Sequence, residues 1–471
     1  MSGNDGLQNA LQRALRYQGG FPGNWAAPIP GISHDVLIIG GGQNALALTL
    51  ALKNLGIANV AIVDDRAPGE AGIWDDTARM QTLRTPKTLV GPDLGFAPLS
   101  FPTWFEAQHG VGAFEKVERI GRLDWAAYMR WFEMAANIVI RHNTRVVLLE
   151  PLGDHFAVQL ETPEGRLTET ARKVVIASGI GGLGAPGIPD FLTQALPRDR
   201  YAHTAERLDY ATLKGKVVGV IGAAASAFDA AAVALEQGAA GVHMFCRKEQ
   251  IPTLQINKSR AYLGAQDLFY TLPDALKWTL FNRVNRTGTP PPRDSVLRAT
   301  RFDNFHIHLG RSLDGLHFDG DRIVLPFAAP ALEFVIAGTG YVQNVSLRPE
   351  LQTFSDRIAT WKDRYTPPAD EVNPGLGNYP YLGNALEFLP REEGDAPFLA
   401  NLHAYTNAAA LSYGRFIGDV PSMKFGITHL SRAIFNDVFR HDLDRHIERV
   451  RVIPTDREFE DVLYETAVWR K

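Results

Sequence analysis

One local pattern occurs twice in this chain, and it constrains the fold more than any other feature. The first copy runs Val36-Leu37-Ile38-Ile39, then Gly40-Gly41-Gly42-Gln43-Asn44-Ala45, then a helical stretch, then Val60-Ala61-Ile62-Val63-Asp64-Asp65. The second runs Val217-Val218-Gly219-Val220-Ile221, then Gly222-Ala223-Ala224-Ala225-Ser226-Ala227, and reaches Val242-His243-Met244-Phe245-Cys246-Arg247-Lys248. In both, the next strand begins 20 residues after the first glycine, from 40 to 60 and from 222 to 242. A buried strand, a tight small-residue turn, a helix and a second strand make a βαβ unit, which requires a parallel sheet. The predicted fold class is therefore α/β, with two Rossmann-like units.

The two copies end in opposite charge. A glycine turn lets a pyrophosphate approach the backbone and rest on the helix N-terminus. Gly40, Gly42, Gln43 and Asn44 occupy that turn in the first copy, and Gly222, Ala224 and Ser226 in the second. Asp64 ends the first unit and suits the hydroxyls of an unphosphorylated ribose, as in FAD or NAD. Arg247, with Lys248, suits a 2′-phosphate, as in NADPH. Together they predict a flavoprotein reduced by NADPH. The bland alternative is one true site beside a purely structural α/β unit, because the second copy has alanine at two of its three glycine positions.

Length and composition narrow the class. At 471 residues the chain exceeds one comfortable core. With 48 basic and 52 acidic residues it carries a net charge of −4, which argues against nucleic acid as a partner. The first residues lack the pattern of a signal peptide, and the apolar stretch Val36 to Leu52 is broken by Gln43, Asn44 and three glycines. A cytoplasmic protein without a membrane span is expected. The only cysteine is Cys246, so neither an internal disulfide nor a redox dithiol beside a flavin is available. Electrons must leave by another route, and oxygen is the usual one. No metal-ligand spacing stands out: His306 and His308 lie two apart on one face of an expected strand, which is too few for a site.

Residues 1–34 read as an extension whose Leu7, Leu11 and Leu15 fit a short amphipathic helix, packing on the surface or at an oligomer contact. Residues 35–196 and 331–471 are assigned to the FAD domain, and 197–330 to an NADP domain inserted within it. Lys173 to Gly179 and Glu333 to Tyr341 are strands ending in glycine turns, expected where the chain leaves and re-enters the first domain. A basic, aromatic stretch at about 253–301, with Lys258, Arg260, Tyr262, Phe281, Arg283, Arg286 and Arg293, is either a cleft lining or a charged solvent face. Ile427, Leu430, Ile434, Val438, Leu443 and Ile447 predict a helix within 426–451.

Further segments carry a family likeness. Ala337-Gly338-Thr339-Gly340-Tyr341, Tyr201-Ala202-His203-Thr204 and Gly72-Ile73-Trp74 resemble segments of the two-nucleotide-site flavin monooxygenases. Arg79-Met80-Gln81-Thr82-Leu83-Arg84-Thr85-Pro86-Lys87 and Leu99-Ser100-Phe101-Pro102-Thr103-Trp104-Phe105 resemble the branch of flavin-type urate hydroxylases and nitrosuccinate-forming aspartate N-hydroxylases. Ornithine and lysine N-hydroxylases have a similar Met-Gln pair, followed by a carboxylate-binding lysine. Here Lys87 falls one place later and Pro86 fills that slot.

The resemblance implies an enzyme in which NADPH reduces FAD, oxygen adds to give a hydroperoxyflavin, and one oxygen atom passes to a small polar nitrogen-containing substrate, urate-like or amino-acid-like. The alternative is an NADPH-dependent flavin reductase or dehydrogenase without oxygen insertion. It implies that Gln81 hydrogen-bonds near the flavin ring and that Met80 packs on it, unless Met80 is plain core. Trp74 and Thr339 fall in cofactor-lining segments. Tyr405, Asn407 and His403 fall in a segment expected beside the ring, where His403 is either structural or catalytic. Arg84 and Lys87 are candidates for pyrophosphate or an anionic substrate, or for a solvated loop.

Overall fold

Both repeated units fold as the pattern requires in the computed structural model, which describes residues 3–70, 72–414, 417–460 and 462–470. The strands of the first region are β1 (His34–Ile39), β2 (Val60–Val63), β3 (Ile140–Arg141), β4 (Arg145–Leu152), β5 (His155–Thr162) and β6 (Gly165–Ile176). They form one sheet in the order β3-β2-β1-β6-β5-β4. β1 runs parallel to β2, with Val36 opposite Val60, and parallel to β6, with Ile39 opposite Ile176. β6 has two halves. Its exposed N-terminal part pairs antiparallel with β5, and its buried run Val174–Ile176 lies deep in the parallel part. An uninterrupted apolar run is what a strand covered on both faces needs.

The chain then passes through β7 (Gly184–Pro186) into a second sheet. That sheet contains β8 (Tyr201–His203), β9 (Val217–Ile221), β10 (Gly241–Cys246) and β11 (Phe305–Leu309). After a short hairpin of β12 (His317–Phe318) and β13 (Ile323–Val324) comes β14 (Phe334–Ala337). The order is β11-β10-β9-β14-β8, with every pair parallel. β15 (Tyr341–Gln343) pairs antiparallel with β7, and β16 (Leu402–Ala404) returns to the first sheet beside β6.

Two expectations change here. Phe334–Ala337 does not belong with the first unit. It pairs with Val218–Ile221, and Val335, Ile336 and Leu332 are buried in the cores of the second unit. The return crossing comes later, in the β7–β15 ribbon, where a Cβ on Gly184 would meet the Val342 carbonyl oxygen at 1.8 Å. The C-terminal helix is also not continuous. A π-helical turn Met423–Ile427 leads into a helix Thr428–His441, and a separate helix Leu443–Arg451 follows. Asp442 interrupts them because its buried carboxylate turns inward to Arg172 at 3.0 Å. Leu443 and Ile447, expected inside, are exposed.

The N-terminal helix Gly3–Tyr17 buries Leu7 and Leu11 in the main core and lies against the helix Phe101–His109. Its apolar face is therefore occupied within the chain. In the basic stretch, the helix Asp274–Thr287 packs Trp278 and Phe281 with Trp361, Leu376 and Leu411. Arg286 donates to the carbonyls of Asp370 and Val372, and Arg260 to that of Gly414. These cations fasten the stretch to neighbouring chain. No described helix is long and apolar enough to cross a membrane.

Candidate cofactor and substrate sites

At the first turn, Gly40 has φ +106°, and a Cβ there would lie 2.8 Å from the Ala177 carbonyl oxygen. Only glycine fits. Gly41 N–H donates to Asp64 Oδ2 at 2.5 Å, and Arg66 N–H donates to Asp64 Oδ1 at 2.9 Å. Each carboxylate oxygen keeps a lone pair for a further donor such as a ribose hydroxyl. Gly42 caps the helix Gln43–Asn54 with no side-chain hydrogen bond, so the first N–H groups of the helix are uncommitted to any cap. Beyond its chain neighbours, a Cβ on Gly42 would meet only the Gly72 Cα, at 3.8 Å. Gln43 is braced: it donates to the Gly418 carbonyl at 2.9 Å and accepts from Trp125 Nε1 at 3.1 Å. Asn44 Oδ1 is buried without a partner. Trp74 meets Trp125 edge-on at 6.3 Å and, with Gly41, Gly42 and Gln43, lines a narrow cleft at the helix start. Backbone donors at a helix start and an acid placed for ribose fit the pyrophosphate and ribose of FAD.

The second turn repeats this geometry. Gly222 has φ +103°, and its Cβ would lie 2.5 Å from the Gly338 carbonyl oxygen. Ala224 caps the helix Ala225–Glu236, again without a side-chain hydrogen bond, and Ser226 is exposed in its first turn. The expected basic pair divides. Arg247 is exposed, and among the described residues nothing holds its guanidinium. Lys248 instead donates to the Arg286 and Thr287 carbonyls at 3.0 Å each, closing the C-terminus of the helix Asp274–Thr287. Thr339 Oγ1 donates to the Gly187 carbonyl in the crossing region.

The segment Arg79 to Lys87 lies at the seam between the two sheets. Met80 and Gln81 line a cavity of about 600 Å³. On the first-unit side it is walled by Asp76, Arg79 and Arg122, and on the second-unit side by Arg207, Tyr210 and Arg298. Arg207 pairs with Asp76 and Glu70, and Arg298 with Glu236. Arg79 and Arg122 have only carbonyl partners: Thr77, Thr204 and Glu206 for Arg79, Met80 and Trp74 for Arg122. Burial, with Arg298 close by, pushes the Arg122 guanidinium below its ordinary range. Tyr210 lies beneath the Arg79 guanidinium at 5.0 Å, its buried hydroxyl proton meets no acceptor, and burial pushes its pKa up to about 12. Arg79, Arg122, Tyr210 and Arg298 were not singled out from sequence. Arg79 precedes the Met-Gln pair, but nothing in the spacing joins it to residues 43 or 131 places away.

Several expected residues are placed elsewhere. Arg84 pairs with Asp229, and Lys87 donates to the Phe114 and Glu115 carbonyls at 2.9 and 3.1 Å. Neither is free for a phosphate. Tyr405 is in the core, its hydroxyl donating to the Ser422 carbonyl at 3.0 Å. Asn407 begins a short 3-10 turn. His403 is fully buried, with Nδ1 3.0 Å from the Ala385 carbonyl and Nε2 unpartnered. Burial and the Lys173 charge push its pKa down to about 3, so it is a neutral structural histidine. His306 and His308 share a strand face as expected, joined by His243, whose Nδ1 lies 2.9 Å from His308 Nε2. No group of metal-binding residues forms among the described residues.

Residues 37–262 match the model of the pyridine nucleotide-disulphide oxidoreductase family. The lone cysteine, Cys246, leaves no dithiol for disulfide exchange. The FAD-dependent urate hydroxylase of Xanthomonas campestris pv. campestris is 37% identical over 449 residues, covering 94% of each chain. Among solved structures, the ornithine hydroxylase of Pseudomonas aeruginosa aligns with a TM-score of 0.67 and 17% identity, over 86% of this chain and 99% of that one. An ornithine N-hydroxylase of Kutzneria sp. 744, described with reduced FAD, NADP+ and L-ornithine, aligns with a TM-score of 0.64 and 14% identity, over 87% and 100%. The structural likenesses establish the α/β fold, and the long match to the Xanthomonas enzyme places this chain in the flavin-dependent monooxygenase family to which that urate hydroxylase belongs.

Proposed function

We propose that this protein is an FAD- and NADPH-dependent monooxygenase that hydroxylates a small nitrogen heterocycle of the urate type. One observation carries the reading. Two uncapped glycine-turn helices stand in one chain, one ending at an acid already gathering backbone donors and the other at an unpaired arginine. In this reading Gly40, Gly42, Gln43, Asn44, Asp64 and Trp74 hold FAD. Gly222, Ala224, Ser226 and Arg247 hold NADPH, with Thr339 at the crossing between them. The NADP unit is residues 197–337, and the FAD unit is residues 35–196 and 338–471 behind the extension 1–34. Gln81 and Met80 would hold the reacting end of the flavin, with Asn407 in a segment beside the ring.

FAD, when bound, supplies the electron storage and oxygen activation. The chain binds and orients both nucleotides, excludes water and presents the substrate. The balanced reaction takes one substrate, one oxygen molecule, one NADPH and one proton. It yields hydroxylated substrate, water and NADP+. The likeness to the Xanthomonas enzyme supports urate over an amino acid as substrate. A cytoplasmic location, where NADPH is supplied, agrees with a single buried cysteine.

The test is NADPH consumption by the FAD-loaded protein with urate, aspartate, ornithine and lysine, each product weighed by mass spectrometry. One added oxygen atom on urate supports the reading. Rapid reduction of quinones or dyes with no oxygenated product on any substrate replaces it with the flavin reductase alternative.

A further inference from the structure

The seam cavity holds an unbalanced set of charges. Of its acidic walls, Asp76 is engaged by Arg66 and Arg207. Asp209 is exposed and caps its own turn through Ala211 N–H. Its cations are not matched in the same way. Arg79 and Arg122 form no ion pair among the described residues, and carbonyl oxygens satisfy geometry without cancelling charge. A half-buried guanidinium left in that state favours a nearby anion. Tyr210 adds a separate demand. Its hydroxyl is buried in the same wall beneath the Arg79 guanidinium, which can only donate to it, so the hydroxyl proton has no acceptor in the fold. An orphaned buried hydroxyl is costly unless something accepts from it. Met80, Leu123 and Val233 supply apolar wall between these groups.

We propose that Arg79, Arg122 and Tyr210 form the substrate-anion cradle of this enzyme, which selects a planar, anionic heterocycle against ammonium-bearing amino acids. The inference rests on the monooxygenase reading and deepens it. A guanidinium offers a planar fork that matches an in-plane oxyanion. The Tyr210 hydroxyl donates to a second ring oxygen, and the apolar wall covers the ring face. An amino acid such as ornithine brings an ammonium group that needs a carboxylate, and of the two in the wall Asp76 is already bound to two arginines and Asp209 caps its own turn. The cavity therefore rejects by charge what it does not bind by shape.

The experiment uses the FAD-loaded protein with urate as probe, measuring KM for urate and for NADPH, and urate affinity by equilibrium dialysis without NADPH. Tyr210→Phe is the clean variant, since it keeps the ring beneath the Arg79 guanidinium and removes only the hydroxyl. It should leave the melting temperature and NADPH KM unchanged and raise urate KM and Kd roughly three- to tenfold, the worth of one neutral hydrogen bond. Arg122→Gln should raise them about ten- to a hundredfold, and Arg122→Lys should recover part of that loss. If the variants leave urate affinity unchanged, or raise the KM for NADPH instead, the cradle assignment is overturned. Urate binding that is sensitive to Tyr210→Phe, in a protein that oxygenates nothing, keeps the cradle and removes the monooxygenase reading.

Discussion

Arg84 Nη2 lies 2.7 Å from Asp229 Oδ2, joining the loop after β2 to the helix that follows β9. Asp229 is almost fully buried and takes its other hydrogen bond from Ser295 Oγ at 2.7 Å. This ion pair is one of the links that hold the two sheets face to face. Arg84→Ala leaves a buried carboxylate one partner short and should cost about 1–3 kcal/mol in urea unfolding. The variant should still bind FAD. Unchanged stability would show that the pair is incidental to the seam.

The fingerprint glycines should separate into two kinds. Gly40→Ala and Gly222→Ala place a Cβ against backbone oxygen at 2.8 and 2.5 Å, on left-handed backbone. Both should destabilise the apoprotein by at least about 1–3 kcal/mol. Gly42→Val has room in the protein itself and intrudes only where a pyrophosphate would lie. It should keep the apoprotein melting temperature and lose bound FAD. A yellow Gly42→Val protein with full flavin content would move the site elsewhere.

Arg247 and Lys248 should likewise differ. Arg247→Ala should weaken NADPH roughly ten- to a hundredfold and leave NADH nearly untouched, as expected for one charge-assisted phosphate contact. Lys248→Ala should lower thermal stability with little change in the NADPH-to-NADH ratio, because its ammonium caps a helix. Equal losses of both cofactors in Arg247→Ala would dismiss it as the 2′-phosphate reader.

His403 gives a signed pH prediction. Its pKa is about 3 in the folded chain against an ordinary 6.5, so below that value the unfolded chain binds a proton that the folded chain refuses. Its contribution is fully present above the ordinary pKa and is lost as pH falls toward the folded one. His403→Asn, whose amide can still donate to the Ala385 carbonyl, should reduce the drop in urea midpoint between about pH 7.5 and about pH 5. A drop of the same size in the variant would assign the acid sensitivity to other groups.

The geometry of the two glycine turns was legible because each part rests on its own unit's short stretch of sequence. Gly40 and Gly222 adopt the left-handed turn, and Asp64 meets its own unit's turn. What escaped was decided by distant chain. Lys248 answers to a helix end 38 residues on, and Tyr405 to a carbonyl at Ser422. The Leu443 and Ile447 periodicity is real, but Asp442 turns in to Arg172 and leaves that face in solvent. Phe334–Ala337 resembles the strand at Lys173 to Gly179 in composition, and only pairing decides which sheet an apolar strand joins. Arg79, Arg122 and Tyr210 converge across the seam, so no window of sequence contains them together.

Both chain crossings between the units run side by side, in the β7–β15 ribbon. The smaller body is therefore joined to the larger through one ribbon, and is fastened a second time where the helix Asp274–Thr287 packs on Trp361, Leu376 and Leu411. The seam is latched by Arg84 on Asp229, Arg207 on Asp76 and Glu70, and Arg79 on the carbonyls of Thr204 and Glu206. Arginine supplies every catch in that latch, and two of those arginines face the cavity it closes.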